Sequence, residues 1–181
     1  MSNTIPLKED LLILVDKNDQ ITGYEGKLKT HQLGLLHRAF SIYIFRKNKA
    51  GDTELLLQKR AKGKYHSSGL WTNTCCSHPR KNESLENATQ RRLLQEFGFQ
   101  CPLQYIDAFI YEAKVGALTE HEYDHIFIGH HDPENIQPNL DEIETYKWIN
   151  LDILDKDLEK NPTHYTAWFK KSYEIAKQNL N

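Results

Sequence analysis

The sequence predicts an α/β (α+β) fold in which a mixed β-sheet is sandwiched between helices. Strand-like segments come first, one long helix follows, further strands come next, and helices end the chain. The 181 residues suffice for one substantial core, and 39% hydrophobic with 27% charged residues is typical of a globular protein. We therefore expect residues 1–181 to form a single domain, with residues 1–9 as a flexible leader.

The first half of the chain carries the clearest strand signals. Short apolar or alternating runs are separated by polar turns at residues 16–19 and 47–52. The predicted strands here are residues 11–15, 21–24, 39–45 and 54–58. Residues 63–69, between two glycines, are predicted to form an irregular loop.

The central helix is predicted over residues 83–97. Asn82 is the expected N-cap, Glu83 and Glu86 lie in the first turn, where the helix dipole favours acidic side chains, and Gly98 suits the C-terminal cap. Helical periodicity predicts two opposite faces. One carries Leu93, Leu94 and Phe97, and the other carries Leu85, Ala88, Arg92 and Glu96.

The second half contains further strands and then the closing helices. The predicted strands are residues 106–111, 122–129 and 143–149, and the predicted helices are residues 151–159 and 164–180.

Charge and cysteine content limit the classes of function. With 23 basic and 25 acidic residues the net charge is −2, so we expect no nucleic-acid partner. The short apolar run at Leu11–Val15 is far below the ~18 residues of a membrane span. Three cysteines, two of them adjacent, argue against a disulfide framework. We expect a monomeric cytoplasmic protein without a membrane partner.

Two short segments could carry chemistry. Cys76 stands two residues before His78, an arrangement that fits an acid–base pair, half of a metal site, or a buried structural cysteine with a capping histidine. In a strand, Glu120, Glu122 and Asp124 share one face. Three carboxylates there need a cation, a proton or water, unless the strand is an exposed edge.

Histidines and basic residues lie near these segments in the sequence. His31 and His37 are six residues apart, a spacing without helical or strand periodicity, and each is either an ordinary hydrogen-bonded histidine or a ligand. Dispersed cations could bind a phosphate or simply be solvated. They are Lys27, Arg60, Lys64, Arg91 and Arg92.

The helix pattern resembles a degenerate Nudix box, a loop–helix–loop that binds Mg²⁺ and a diphosphate. Ser77, Arg92 and Gln95 stand where that motif has a glycine and two glutamates, which leaves Glu96 as the main metal-capable carboxylate. A helix with so few carboxylates can hold a metal-bound diphosphate but is poorly equipped to activate water.

Together with the segments 36–40 and 72–79, this pattern resembles the type 1 isopentenyl-diphosphate Δ-isomerase family, whose similarity extends from about Leu12 to Trp168. The resemblance implies a Nudix-like fold and a small-molecule isoprenoid diphosphate substrate. It implies the following site residues: Cys76, Glu122, Tyr111 and Trp168 as catalytic; Lys27, Arg60, Lys64 and Arg92 as substrate-binding; His31, His37, His78, Glu120 and Glu122 as ligands of one divalent metal, Mn²⁺, Mg²⁺ or Zn²⁺; and Glu96 on a diphosphate-bound Mg²⁺.

The implied reaction protonates an alkene on one carbon and deprotonates a neighbouring carbon, through a tertiary carbocation. Cys76 and Glu122 are the expected acid–base pair, Tyr111 orients Glu122, and Trp168 covers the hydrocarbon. A Nudix pyrophosphohydrolase is the main alternative, disfavoured by Arg92 and Gln95. A non-catalytic metal- or nucleotide-binding module is the second alternative.

Overall fold

The computed structural model describes residues 11–64 and 66–180. Its strands are β1 Leu11–Val15, β2 Ile21–Gly26, β3 His37–Lys47, β4 Thr53–Arg60, β5 Trp71–Thr72, β6 Cys75–Ser77, β7 Gln104–Val115, β8 Leu118–His130 and β9 Ile143–Asn150. Its α-helices are α1 Lys27–Leu33, α2 Leu85–Phe97, α3 Leu151–Lys160 and α4 Phe169–Gln178, with a 3-10 turn at Pro162–His164. The leader expected at residues 1–9 lies outside the described residues.

The strands form one mixed sheet organised around β3. Strand β8 runs parallel to β3 on one side and pairs with β7 beyond it. On its other side β3 pairs antiparallel with β1, β6 and β4. Strand β4 then pairs with β5 and β9. The predicted mixed sheet is therefore confirmed.

Helices cover both faces of the sheet, as predicted. On one face, Tyr43, Phe45 and Leu57 pack against residues of α3 and α4. On the other, Ile42 and Leu56 belong to a cluster with residues of α2. The alternation of side chains along β3 and β4 supplies both cores, because successive residues of a strand point to opposite faces.

Strands β3 and β4 diverge after their hairpin, and the segment with β5 and β6 lies between them. The Thr74 hydroxyl accepts a hydrogen bond from Ile44 N at 2.9 Å and donates one to Leu56 O at 2.6 Å. The Gln58 amide donates to Thr74 O at 2.7 Å. Thr74 therefore replaces strand pairing where the two strands separate, and it fixes the backbone just before Cys75.

The start of α2 differs from the prediction. Ser84, not Asn82, is the N-cap, and its hydroxyl accepts a hydrogen bond from Asn87 N. Asn82 instead adopts a left-handed φ of 65°. Glu83 precedes the helix and accepts a hydrogen bond from Arg80 N. Gly98 caps the C-terminus with a φ of 76°, as predicted.

The two predicted faces of α2 were also wrong. Leu94 is 48% exposed, whereas Leu93, Glu96 and Phe97 are buried. The buried surface is one continuous arc that includes both Ala88 and Phe97. The helix packs with a wide face on the sheet, so residues predicted to be on opposite sides share the interior.

Other elements were missed or shortened by the prediction. Helix α1 and strands β5 and β6 were not predicted, because they are too short to show a periodic pattern. Helix α4 begins at Phe169 instead of residue 164, since the 3-10 turn and residues 165–168 precede it. No helix among the described residues is long and apolar enough to cross a membrane.

Candidate active site

Three histidines and a glutamate form a buried cluster at one end of β3. His31 lies on α1, His37 begins β3, His78 follows β6, and Glu122 lies on β8. One ligand atom from each falls within 4.8 Å of the others. His78 Nε2 is 3.2 Å from His37 Nε2 and 2.9 Å from Glu122 Oε1. Glu120 joins the cluster, since its Oε1 is 3.6 Å from His31 Nε2. The structure thus brings together all five residues predicted as ligands.

Strand register explains this convergence. His37 pairs directly with Glu122 across the parallel β3–β8 ladder. Glu120 lies two residues earlier on the same face of β8, and helix α1 packs against β8. Strand β8 is central, between β3 and β7, so the edge-strand interpretation of its carboxylates was wrong.

The histidine rings are oriented as cation ligands usually are. The Nδ1 atoms of His31 and His37 lie 2.6 and 2.8 Å from the carbonyl oxygens of Lys27 and Leu35. An Nδ1–H that donates to a carbonyl leaves the Nε2 lone pair directed at the cluster. Three imidazoles and two carboxylates are a donor set that suits a divalent cation.

The ionisation of the cluster favours a positive occupant. Burial acts to lower the pKa of His31, but Glu120 raises it above its ordinary value. Burial lowers the pKa of His78 well below its ordinary value, and His37 and Lys27 lower it further. Glu120 and Glu122 are both buried in this cluster, and a bound cation supplies charge that compensates buried carboxylates.

Glu122 is also bonded to a tyrosine. The Tyr111 hydroxyl donates a hydrogen bond to Glu122 Oε2 at 2.5 Å across the β7–β8 pair. Burial raises the pKa of Tyr111 well above its ordinary value, and Glu122 adds to this effect. Burial opposes ionisation of Glu122, yet hydrogen bonding to His37 and Tyr111 lowers its pKa to about 2. These partners therefore orient Glu122 and favour its ionised form.

The two adjacent cysteines face opposite sides of β6. Cys75 is fully buried in the apolar cluster beneath α2, whereas Cys76 lines a cavity with Glu122. Arg60 Nη1 lies 3.9 Å from the Cys76 sulfur. Burial raises the pKa of Cys76 to about 12, against the opposing charge of Arg60. The cavity thus presents a protonated thiol and a carboxylate together.

Trp168 forms an apolar wall of the same cavity. Trp168 is 4% exposed, and its Nε1–H donates to Asn73 Oδ1 at 3.3 Å. The ring centroid is 6.3 Å from that of Tyr111 and 5.7 Å from the Arg60 guanidinium carbon. The remaining lining residues are mostly basic: Lys27, Arg60, Lys64, His66, Ser77, His78, Arg92 and Glu120.

An adjoining cavity extends the basic wall. It shares Lys27, Lys64 and Arg92 with the first cavity and adds Arg80 and Arg91. Burial lowers the pKa of Lys27, and the charges of Lys64 and Arg92 lower it further. Crowded cations of this kind favour an anionic ligand over water alone.

Two acidic residues balance these cations. Glu142 contacts both Lys64 and Arg92, and although burial opposes ionisation these partners lower its pKa to about 2. Glu96 is 3% exposed; its Oε1 accepts from Arg92 and its Oε2 accepts from Gln58 at 2.8 Å. Glu96 is therefore a buried carboxylate in contact with Arg92, one of the basic residues predicted to bind the phosphate groups.

Sequence reasoning missed three residues of this region. His66 lines the cavity from the irregular loop, Asn73 bonds Trp168, and Glu142 pairs with the cations. Asn73 lies inside the segment 72–79 that carries the family resemblance, but no role was assigned to it. His66 and Glu142 belong to no periodic segment, so no sequence pattern distinguished them from surface residues. Asp124 was placed on the correct face, and it accepts a hydrogen bond from the Ser41 hydroxyl at 2.9 Å.

Comparisons with known proteins agree with this geometry. The NUDIX domain family matches residues 35–169. A protein of Photorhabdus laumondii named isopentenyl-diphosphate Delta-isomerase 2 is 54% identical over 164 residues, which are 90% of each chain. The isopentenyl-diphosphate Delta-isomerase of Serratia proteamaculans is 47% identical over 162 residues, which are 89% of this chain and 88% of the relative.

Solved structures share the fold at low sequence identity. DR0079 from Deinococcus radiodurans has a TM-score of 0.70 and 12% identity, with 93% of this chain and 98% of that chain covered. The NUDIX domain of Shewanella oneidensis NrtR, solved with ADP ribose, has a TM-score of 0.63 and 15% identity, with 81% and 88% covered.

Proposed function

The chain belongs to the isopentenyl-diphosphate Delta-isomerase family of Nudix-domain proteins, and we propose that the Cys76 thiol and the Glu122 carboxylate are its proton-transferring pair. The enzyme interconverts isopentenyl diphosphate and dimethylallyl diphosphate in isoprenoid biosynthesis. The observation that carries the assignment is that a thiol and an ionised, tyrosine-bonded carboxylate line one cavity.

The reaction moves a double bond by one position without net loss of a proton. One member of the pair delivers a proton to an alkene carbon, and the other removes a proton from the neighbouring position. An unactivated alkene is a very weak base, so both groups must be positioned and water must be excluded. The Tyr111 hydroxyl donates a hydrogen bond to Glu122, which holds that carboxylate in position as it exchanges a proton with the substrate.

Trp168 stabilises the carbocation in this proposal. Its ring forms a buried wall beside Tyr111, and an aromatic face attracts a cation by roughly 2 kcal/mol when desolvated. The Asn73 bond to its indole N–H fixes the plane of the ring. The apolar half of the substrate therefore packs on Trp168, between the groups that exchange protons.

The diphosphate half occupies the basic wall in this proposal. Lys27, Arg60, Lys64 and Arg92 supply the charge that binds it. Glu96 contacts Arg92 and is the carboxylate we assign to the Mg²⁺ that accompanies the diphosphate. Binding through this half leaves the hydrocarbon end directed at Cys76 and Trp168.

The second metal is assigned to the cluster of three histidines and two glutamates. His31, His37, His78, Glu120 and Glu122 would hold Mn²⁺, Mg²⁺ or Zn²⁺, all of which accept nitrogen and oxygen ligands. When bound, such a cation compensates the carboxylates and shifts the acidity of Glu122. The His31 and His37 rings are oriented by backbone carbonyls, and His78 Nε2 contacts the Glu122 carboxylate at 2.9 Å and keeps it in place.

A pyrophosphohydrolase needs more carboxylates than α2 provides. Arg92 and Gln95 stand at two of the carboxylate positions of a Nudix box, and Glu83 is engaged with Arg91 at 2.6 Å. A helix of this composition can bind a diphosphate, but it lacks the carboxylates that would hold metal ions to activate a water molecule for hydrolysis. A non-catalytic binding module would have no use for a protonated thiol beside Glu122.

We further propose a single-domain, monomeric enzyme of the cytoplasm, with neither nucleic acid nor a membrane as partner. All three cysteines are free, and Cys76 must stay a thiol in order to transfer protons, which a reducing compartment favours. Size-exclusion chromatography with light scattering tests the oligomeric state.

One assay tests the assignment of function. The purified protein is incubated in D₂O with isopentenyl diphosphate, Mg²⁺ and Mn²⁺, and the mixture is followed by NMR and by a phosphate assay. We expect dimethylallyl diphosphate carrying deuterium, and no released phosphate. Phosphate without the allylic isomer would establish hydrolysis instead and overturn the proposal.

A further inference from the structure

Gln58 is a buried polar residue to which neither the sequence nor the family resemblance assigned a role. It lies on β4 and is 2% exposed. Its backbone is paired on both sides, with Thr72 of β5 and with Tyr146 of β9. The side chain therefore starts from a fixed point in the sheet. A buried amide costs free energy unless hydrogen bonds replace those it made to water, so its partners indicate why it is there.

The amide nitrogen of Gln58 joins two parts of the molecule. Nε2 donates to Thr74 O at 2.7 Å and to Glu96 Oε2 at 2.8 Å. A side-chain amide has two N–H donors, and a backbone carbonyl and a carboxylate are both acceptors. Each N–H thus has its own partner. The side chain thereby connects β4 to the backbone just before Cys75 and to helix α2.

Glu96 passes this connection on to Arg92. While Glu96 Oε2 accepts from Gln58, its Oε1 accepts from Arg92 Nη2. The other partners of Arg92 are the exposed Gln95, at 3.4 Å, and the half-buried Glu142, at 3.3 Å. Glu96 is 3% exposed, so water has little access to Oε2 if the Gln58 donor is removed. A carboxylate held at both oxygens gives the Arg92 guanidinium a buried, fixed anchor.

The direction of Arg92 matters because this residue lines both cavities. A guanidinium presents its donors in a planar fork, and it binds phosphate oxygens well only when that fork faces them. Groups that contact a ligand are held in such an orientation by the hydrogen bonds of the residues behind them. Gln58 is two hydrogen bonds away from the guanidinium that is proposed to bind the diphosphate.

We propose that Gln58 is a positioning residue of the diphosphate site: by holding Glu96 it orients Arg92, and it thereby sets the affinity for a diphosphate anion. This inference rests on the proposed binding of a diphosphate at Arg92, and it is independent of the proton transfer assigned to Cys76 and Glu122. The competing assignment is a buried glutamine that only stabilises the fold.

The test measures the binding of inorganic pyrophosphate to the full-length protein by isothermal titration calorimetry in a buffer with Mg²⁺. Gln58→Met and Gln58→Leu fill most of the site without an N–H donor. Because hydrogen bonds to charged groups are among the stronger ones, we expect either variant to bind pyrophosphate about 10-fold more weakly. Circular dichroism establishes that each variant is folded.

A matched control separates positioning from stability. Gln90 Nε2 donates to Cys101 O at 2.8 Å, and Gln90 lines neither of the two cavities. Gln90→Met therefore removes a glutamine hydrogen bond of similar length at another place in the fold. We expect it to lower Tm and to leave the affinity for pyrophosphate at the wild-type value.

A double-mutant cycle shows whether Gln58 acts through Glu96. Glu96→Ala should also weaken pyrophosphate binding, because Arg92 loses its anchor. Residues that act in one chain of contacts are not additive. The double variant with Gln58→Met and Glu96→Ala should therefore bind pyrophosphate as Glu96→Ala does, without a further loss.

The outcomes that overturn the proposal are specific. Wild-type affinity in folded Gln58→Met or Gln58→Leu overturns it, and so does an equal loss of affinity in Gln90→Met. A further loss on adding Gln58→Met to Glu96→Ala would show that Gln58 does not act through Glu96, and it also overturns the proposal. Pyrophosphate binding involves no turnover, so a wild type that binds pyrophosphate but forms no allylic isomer would reject the proposed function and leave this test intact.

Discussion

Replacing Cys76 and Cys75 separately with alanine is the most direct test of the proposed chemistry. The two residues are adjacent on β6 and point to opposite sides, Cys76 into the cavity and Cys75 into the apolar cluster beneath α2. The same substitution at neighbouring positions therefore removes a thiol from two different environments. Cys75→Ala serves as the matched control for Cys76→Ala.

Cys76→Ala should lower the catalytic rate, whereas Cys75→Ala should lower the stability of the fold. Cys76→Ala removes a proton-transferring group, and such groups contribute about 10²- to 10⁴-fold to rate. We expect the loss of turnover to reach the upper part of that range or to exceed it. Cys75→Ala empties a site that is 0% exposed. Deleting one heavy atom from a packed core costs about 1 kcal/mol, which corresponds to roughly 2–4 °C in Tm for a domain of this size.

The assays are the initial rate of allylic isomer formation and thermal unfolding followed by circular dichroism. We expect Cys76→Ala to be inactive with a nearly unchanged Tm, and Cys75→Ala to be active with a lowered Tm. Because the pKa of Cys76 is raised to about 12 by burial, the wild-type rate should show no loss from thiol ionisation at neutral pH. Equal loss of activity in both variants would refute the assignment of Cys76.

Three further predictions concern the neighbours of this pair. Tyr111→Phe removes the hydrogen bond to Glu122. Hydrogen bonds to charged groups contribute about 1.5–3 kcal/mol, so kcat should fall roughly 10- to 100-fold. An unchanged kcat would contradict the role given to the tyrosine. His37→Ala should lower both bound Mn²⁺, measured by mass spectrometry, and the rise in Tm on adding Mn²⁺, whereas His121→Ala should change neither. Glu142 has a folded pKa of about 2 against an ordinary value of 4.5; its contribution to stability is present above 4.5 and is lost as the pH falls toward 2. Urea titrations should therefore show a steeper loss of unfolding free energy over that range in wild type than in Glu142→Gln, and parallel curves would refute the ion pairs.

The sequence by itself determined the features that depend on local periodicity. Alternation along β8 placed Glu120, Glu122 and Asp124 on one face, because the side-chain period of a strand is two. Gly98 marked the end of α2, because its positive φ suits glycine. The motif around Cys76 and His78 indicated the family, since several separate segments occur in the same order.

Local signals were ambiguous where several polar residues compete. Asn82 and Ser84 are both good N-caps, and the sequence cannot rank them. In the structure Asn82 adopts a left-handed φ of 65°, whereas Ser84 has an extended backbone and its hydroxyl accepts a hydrogen bond from Asn87 N. Ser84 is therefore the residue that caps the helix.

Only the tertiary structure decided which residues meet. His37 reaches Glu122 through the register of the parallel β3–β8 pair, a contact between residues far apart in the chain. His66 reaches Glu120 because hydrogen bonds within an irregular loop turn its ring inward. The register of paired strands depends on how the whole sheet packs, and the conformation of a loop depends on where its two ends are held. Neither produces a periodic pattern in the sequence.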